Sequence, residues 1–361
     1  MKRVLLLLML IIIYFKGNVM ASSEGVKIKT ENIEEEYTVY AKNHLNLHLQ
    51  SILETKDNNI LDYYLGSPFT VKDIVKNKNI IFYPVINNSQ VEYLFIINKK
   101  NGEFNASLGK YFSDELINLF NESINKEYAL LLYNNQIYNY DGRNITLLYS
   151  FNNKFNLEEY NKLYKIVKNR SNIYNNENLV NKVRLLSKNN IYYLRKPTPS
   201  AVLLEGKTLN VKGVAQGDNQ CWAATIAAMI NYKKDKSLSA YTVAKYIYPN
   251  NPYQGGDWYD MKKAYNNWGI YPSQIGKLSF GSVKKYINSY KPQHLRLYLD
   301  EGHSVGLIGY YHWDLKNGDY ERTLVLLEPN RGVRNTVILK SNNNFNYWGS
   351  YDVWQNTIIL P

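Results

Sequence analysis

The hydrophobic positions of this chain follow two periods, and the order in which they occur outlines its organisation. Between residues 34 and 53 apolar side chains recur at helical spacing. The runs 80–86 and 91–98 alternate apolar and polar as half-buried strands do, and 87–90 links them as a hairpin. Lys100-Asn101-Gly102 and Asp141-Gly142 are turn sequences. A helix is expected to start near Ser113-Asp114-Glu115, and 128–133 and 145–149 read as further strands. Residues 151–207 are more polar. Asn156 with Glu159 has the form of an N-cap and its reciprocal partner, opening a helix through about 168. Lys196-Pro197-Thr198-Pro199-Ser200 reads as an extended, exposed linker, the kind of segment where proteolysis concentrates.

Beyond 208 helices come first and strands afterwards. Residues 221–232 are apolar on nearly every side, which predicts a buried central helix. Shorter helices are expected at 239–248, at 257–268 with Gly269 as its C-terminal cap, and at 282–290, ended by Pro292. Strand-like runs follow at 305–311, 322–327, 336–340 and 357–360, with Asn317-Gly318 as a hairpin turn after the first. The pattern predicts an α+β protein: a small α+β unit within 22–200, then a second domain at 208–361.

Length and composition fit this division. The 361 residues suffice for two domains with cores of their own. Lys2 and Arg3, the apolar run 5–15 and Val19-Met20-Ala21 together read as a signal peptide spanning 1–21, so the chain is expected to be secreted. An uncleaved anchor is disfavoured because Lys16, Gly17 and Asn18 interrupt the apolar run. A single Cys rules out an internal disulfide, leaving a thiol that is inert, paired between chains, or functional. The formal charge of +12 is scattered, with no nucleic-acid-binding signature; it implies solubility and weak association with anionic cell-wall polymers. His44 and His48 stand four apart on the first helix, without a third ligand nearby, and are expected on its solvated face.

The chemistry concentrates around the single thiol. In Gln216-Gly217-Asp218-Asn219-Gln220-Cys221-Trp222 a polar loop runs into the start of the apolar helix. Unpaired N–H groups and the positive helix end favour a thiolate there, and such settings lower a thiol pKa from about 8.5 into the range of roughly 3.5–7.5. A thiolate attacking a carbonyl creates an oxyanion that needs donors already in place. The Cys221 backbone N–H is one, and the Gln216 side-chain amide, turned back at Gly217, is the other; Gln220 is too close in sequence to point that way. A base is required, and His294, His303 and His312 follow Cys221. His303 has the best context, between Gly302 and the apolar run 304–310, whereas His294 and His312 are expected in exposed connections. Gly302 and Gly306 permit close approach of a substrate or of the central helix. Glu328, at the end of the run 324–327, suits the role of orienting the imidazole, with Asn330 as the alternative.

These residues resemble the papain-like cysteine peptidase superfamily, in particular staphopain-type and bacteriocin-leader-processing bacterial peptidases. The likeness lies in Gln216 to Trp222 entering a helix, Gly302-His303 entering a strand and Glu328-Pro329 after the next strand, and it covers about 208–361. Gln216 stands one residue closer to the Cys than in papain itself, and a Glu occupies the place of the usual Asn or Asp. The resemblance implies a papain-like domain with a central helix on an antiparallel sheet, preceded by an inhibitory prodomain at 22–200. It implies a zymogen of a cysteine endopeptidase, with Cys221 as nucleophile, His303 as base, Glu328 as orienting group and Gln216 at the oxyanion. The implied substrate is a protein or peptide, with no cofactor or metal. Two other classes use the same residues: a transpeptidase or cell-wall amidase, and a secreted binding protein on a papain-like fold that has lost catalysis.

Overall fold

A computed structural model describes residues 27–54, 62–122, 126–151, 157–169, 180–184, 192–193, 201–299 and 301–361. The signal sequence, Asn156 and the 196–200 linker lie outside the described residues. The first half runs β1 (Lys27–Glu31), α1 (Glu35–Leu53), β2 (Tyr64–Leu65), β3 (Phe69–Asp73), β4 (Lys78–Asn87), β5 (Gln90–Lys100), β6 (Glu103–Gly109), α2 (Ser113–Glu122), β7 (Glu127–Tyr133), β8 (Gln136–Tyr140), β9 (Ile145–Ser150) and α3 (Leu157–Asn169). Short strands β10 (Val180–Arg184) and β11 (Tyr192–Tyr193) follow, and then β12 (Val202–Thr208). The second half has α4 (Cys221–Lys234), α5 (Ala240–Ile247), α6 (Trp258–Asn267), β13 (Ser273–Ile275) and α7 (Phe280–Asn288) before β14 (Gln293–Leu299), β15 (Glu301–Asp314), β16 (Tyr320–Glu328), β17 (Val333–Ile338) and β18 (Trp354–Ile359). The fold is therefore mixed, with a large, mostly antiparallel sheet.

The local signals act as their chemistry dictates. Asn88 and Ser89 join β4 to β5 with left-handed φ of 48° and 63°, a conformation Asn tolerates and a tight hairpin needs. Ser239 caps α5 by accepting from the Thr242 amide, and Asp257 forms a reciprocal capping box with Asp260 at the start of α6. Gly269 ends α6 at φ +69°, as expected of a C-terminal cap. Helix α7 starts at Phe280, earlier than periodicity predicts, because Ser279 accepts from the Ser282 amide and fixes the first turn. Strands β8 and β14 escape the sequence reading. Both are short, and polar residues such as Gln136, Asn139, Gln293 and His294 break their apolar alternation.

Helix α4 is the centre of the second half, with every side chain from Cys221 to Ile230 buried. The Thr225 hydroxyl donates to the Ser304 carbonyl at 3.2 Å, tying the helix to β15. A Cβ on Gly306 would come within 2.4 Å of Met229, so the helix packs directly on this glycine. Gly302 faces no such crowding. Strand β15 pairs with β16 along one edge; β14 and then β12 pair along the other. Strand β18 flanks β14, and β17 flanks β16.

The two halves share this sheet. Thr336 and Val337 of β17 pair antiparallel with Leu108 and Ser107 of β6, and β5 and β4 continue outward from β6. One buried apolar cluster includes Phe69, Phe112 and Leu130 of the first half together with Trp222, Val305 and Leu326 of the second. Helix α1 lies against the second half, which changes the reading of its two histidines. His48 is fully buried and His44 largely so, not solvated: His44 Nδ1 meets Glu321 Oε2 at 2.6 Å, and His48 Nδ1 meets the Thr336 hydroxyl at 2.7 Å. Among the described residues no group of three or more His, Cys, Asp or Glu is arranged to hold a metal.

Candidate functional site

The site is assembled where the start of α4, the first half of β15 and the end of β16 meet. The loop before α4 is shaped by its own side chains. Gln220 sends its amide to the Pro252 carbonyl at 2.9 Å and accepts from the Gly217 N–H at 3.3 Å. It is thereby turned away from the helix end and supplies no side-chain cap to α4. The uncapped, positive end of the helix therefore lies at Cys221, a setting that favours an anion. Gln216 is held by its backbone N–H on the Pro329 carbonyl at 2.7 Å. Gly213 backs this contact, since a Cβ there would fall 1.9 Å from the Gly332 carbonyl oxygen. The Gln216 loop is thus docked onto the same segment that follows Glu328.

His303 lies between Cys221 and Glu328. Its Nε2 faces both Glu328 oxygens, at 3.1 and 3.2 Å, and Cys221 acts electrostatically on the same ring. With Nε2 engaged by the carboxylate, Nδ1 is the nitrogen left for the sulfur. His303 and Glu328 are each 4 % exposed. Burial pushes the imidazole pKa down, but the Glu328 charge and the interactions with Cys221 outweigh it and raise the value to about 10. Burial pushes the Glu328 carboxyl up, and the facing His303, the Tyr347 hydroxyl and the Asn330 N–H together hold it below the usual range. The arrangement therefore keeps an imidazolium between a carboxylate and a thiol, the charge state that favours a thiolate.

Asn330 is placed differently from Glu328. Its backbone N–H donates to Glu328 Oε1 at 3.0 Å, while its side chain donates to the Tyr149 hydroxyl. The two remaining histidines of the second half are engaged by other partners, and neither sits in an exposed connection. His294 is fully buried in β14, paired with the Tyr265 hydroxyl at 3.1 Å, and burial lowers its pKa to about 3. His312 lies within β15, 19 % exposed, 3.5 Å from Glu205. His294 belongs to a strand that the periodicity does not reveal, and His312 to one that runs longer than the periodicity suggests, which is why neither is an exposed connection.

The first half enters the site directly. The Gln216 Nε2 group donates to the backbone carbonyl of Phe151 at 2.8 Å. Phe151, the residue after β9, is 3 % exposed, and its own N–H is fixed on the Asn135 carbonyl at 3.2 Å. Its ring stands edge-on to Trp348 at 4.0 Å and faces His303 at 6.3 Å. Tyr149 stacks on Trp348, and Arg331 pairs with Asp114 and Glu115 of α2. A peptide carbonyl thus occupies the amide expected to hold an oxyanion. No sequence signal marked Phe151, Tyr347 or Trp348: an isolated Phe at a strand end and an aromatic pair in an Asn-rich connection look like ordinary core. Of the aromatic residues near α6, Tyr253 is 51 % exposed, and Trp258 borders a surface hollow of about 660 Å³ that contains none of the four site residues.

No protein-family model and no curated protein matches the chain. Among solved structures it is similar to UfSP from C. elegans at 9 % identity, covering 94 % of this chain and 77 % of that one, with a TM-score of 0.27. A likeness that loose leaves the assignment to the residues themselves.

Proposed function

We propose that the chain is the latent precursor of a secreted papain-like cysteine endopeptidase. The observation that carries the reading is the buried His303–Glu328 pair, whose imidazole interacts with Cys221 at the mouth of α4. In this mechanism the Cys221 thiolate attacks a peptide carbonyl carbon, forming an S–C bond. The oxyanion is held by the Cys221 N–H and the Gln216 side-chain amide. His303 gives its proton to the departing amine as the C–N bond breaks. A water then attacks the thioester, His303 takes a proton from it, and the carboxylic acid leaves as the Cys221 thiolate is regenerated. Glu328 keeps the imidazole aligned throughout.

Latency is supported by the Phe151 carbonyl on Gln216, which stands where a substrate oxyanion would be held. On this reading the region 22–200 masks the cleft, and cutting in the linker ahead of β12, which pairs with β15 and so belongs to the second half although the sequence places the domain's start at 208, frees the catalytic domain. The test is incubation of the purified precursor under reducing conditions beside Cys221→Ala, with N-terminal sequencing of products and hydrolysis of a peptide mixture. Thiol-dependent cleavage by the wild type alone supports the reading. An inert wild type, after its N-terminal region has been removed by an added protease, refutes it.

A further inference from the structure

The Glu328 carboxylate does not stand alone behind His303. Its Oε1 accepts from the Asn330 backbone N–H, and its Oε2 accepts from the Tyr347 hydroxyl. Tyr347 is fully buried in the connection between β17 and β18. The direction of its proton is fixed by a third residue: Asn335 Nδ2 donates to the Tyr347 oxygen at 2.8 Å. A hydroxyl has one hydrogen, so an oxygen that accepts from Asn335 must give its own to the carboxylate. Asn335 is itself fully buried on β17.

The connection carrying Tyr347 is built to hold it still. Tyr347 and Ser350 exchange two backbone hydrogen bonds, at 3.0 and 2.9 Å, across Trp348 and Gly349, both at positive φ (51° and 71°). For Trp348 that conformation is strained, so the surrounding contacts must impose it. Asn344 anchors the stem, accepting from the Phe345 and Trp354 N–H groups at 2.9 and 2.8 Å. The two hydrogen-bond partners of the hydroxyl, Glu328 and Asn335, lie in the second half of the chain, while Tyr111, Tyr149 and Phe151 of the first half pack on Tyr347 or Trp348.

We propose that Tyr347 is a positioning residue for the reaction above, its Asn335-directed hydroxyl keeping the Glu328 carboxylate aimed at His303. The inference rests on the peptidase reading and adds a member to its site. Without the hydroxyl, one oxygen of a buried carboxylate loses a charge-assisted hydrogen bond. The carboxylate then rotates or binds a proton more readily, and in either case His303 holds its proton less well.

The test compares wild type with Tyr347→Phe, both produced as the full-length precursor and matured under reducing conditions. Two profiles are read: kcat/KM for peptide hydrolysis against pH, and the rate of Cys221 alkylation by iodoacetamide against pH. The expected result is an alkaline limb displaced downward by about one pH unit in both profiles, with kcat lowered and KM unchanged. Active enzymes with superimposable limbs overturn the proposal, because a merely structural tyrosine lowers melting temperature without moving a titration. If Tyr347→Phe does not fold, Asn335→Leu takes its place; it keeps the ring and releases the hydroxyl, and the same displacement or its absence decides. A wild type that hydrolyses nothing, with an alkylation limb that still shifts, separates failure of the peptidase reading from failure of this one.

Discussion

Replacing Phe151 by Ala should open the cleft of the precursor without removing any residue of the Cys221 site. Phe151 buries its ring between Trp348 and His303 on one side and Tyr149 on the other. A Phe→Ala change in a packed core costs about 3–5 kcal/mol. Tyr149 belongs to the same half as Phe151 and stays beside it whether or not the halves are docked. Only the contacts to Trp348 and His303 are broken on opening, so roughly half the cost, about 2 kcal/mol, weakens the closed state. At about 1.4 kcal/mol per decade this is an increase of about 30-fold in the open population. The backbone carbonyl of residue 151 still reaches Gln216, so latency is weakened and not abolished. The assay is the rate at which a thiol-directed epoxide labels Cys221 in the intact precursor, read by intact mass so that processed species are counted separately. Labelling of Phe151→Ala at the wild-type rate, with an unchanged melting profile, would refute the idea that this residue closes the site.

Four further outcomes are expected. Cys221→Ala should abolish both self-processing and peptide hydrolysis in a gel and fluorogenic-peptide assay while leaving the thermal melt intact, and His303→Ala should abolish both as well but lower the melting temperature, because Glu328 is then buried without its partner. In Glu328→Gln the alkaline limb of kcat/KM, set in the wild type by an imidazolium held to about pH 10, should fall toward the ordinary value near 6.5. Hydrolysis at about pH 8 then drops by at least about tenfold; an unmoved limb would show that Glu328 does not hold the proton on His303. His48, fully buried, titrates at about 4, mainly because burial disfavours its charged form, against about 6.5 when unfolded. The unfolded chain therefore binds the extra proton, and stability that is present above about pH 6.5 is lost as pH falls toward 4, by up to about 3 kcal/mol. Glu321, His44, Thr336 and the ring of Phe95 surround the group, so the comparison is with His48→Leu in a Cys221→Ala background, whose melting temperature should fall less on acidification. Gly213→Ala should cost about 1–3 kcal/mol in urea denaturation and slow hydrolysis as well, because its methyl would collide with the Gly332 carbonyl and push the Gln216 loop off Pro329; an unchanged rate would show that the loop tolerates the shift.

The chain's own residues determined the local elements and the order of the chemistry. A helix apolar on every side has nowhere to go but the centre, and a polar loop ahead of it puts Cys221 at its mouth; both follow from side-chain period alone. The same holds for the hairpin turn at Asn88-Ser89 and the cap at Gly269, where a backbone conformation selects the residue. Tertiary structure decided what depends on partners distant in sequence. His44 and His48 look solvated until β16 and β17 are laid against α1, and His294 looks like a connection until β18 pairs beside it. The sequence favours Glu328 as the orienting group and leaves Asn330 as the alternative. The carboxylate faces the imidazole because Tyr347 and the Asn330 N–H converge on it, while Tyr149 draws the amide away. Phe151 carries no local signature at all, since its place against Gln216 and Trp348 exists only once the two halves share a sheet. Period and turn chemistry act over a few residues and are written in the chain, whereas burial and hydrogen-bond partnership are properties of the assembled surface.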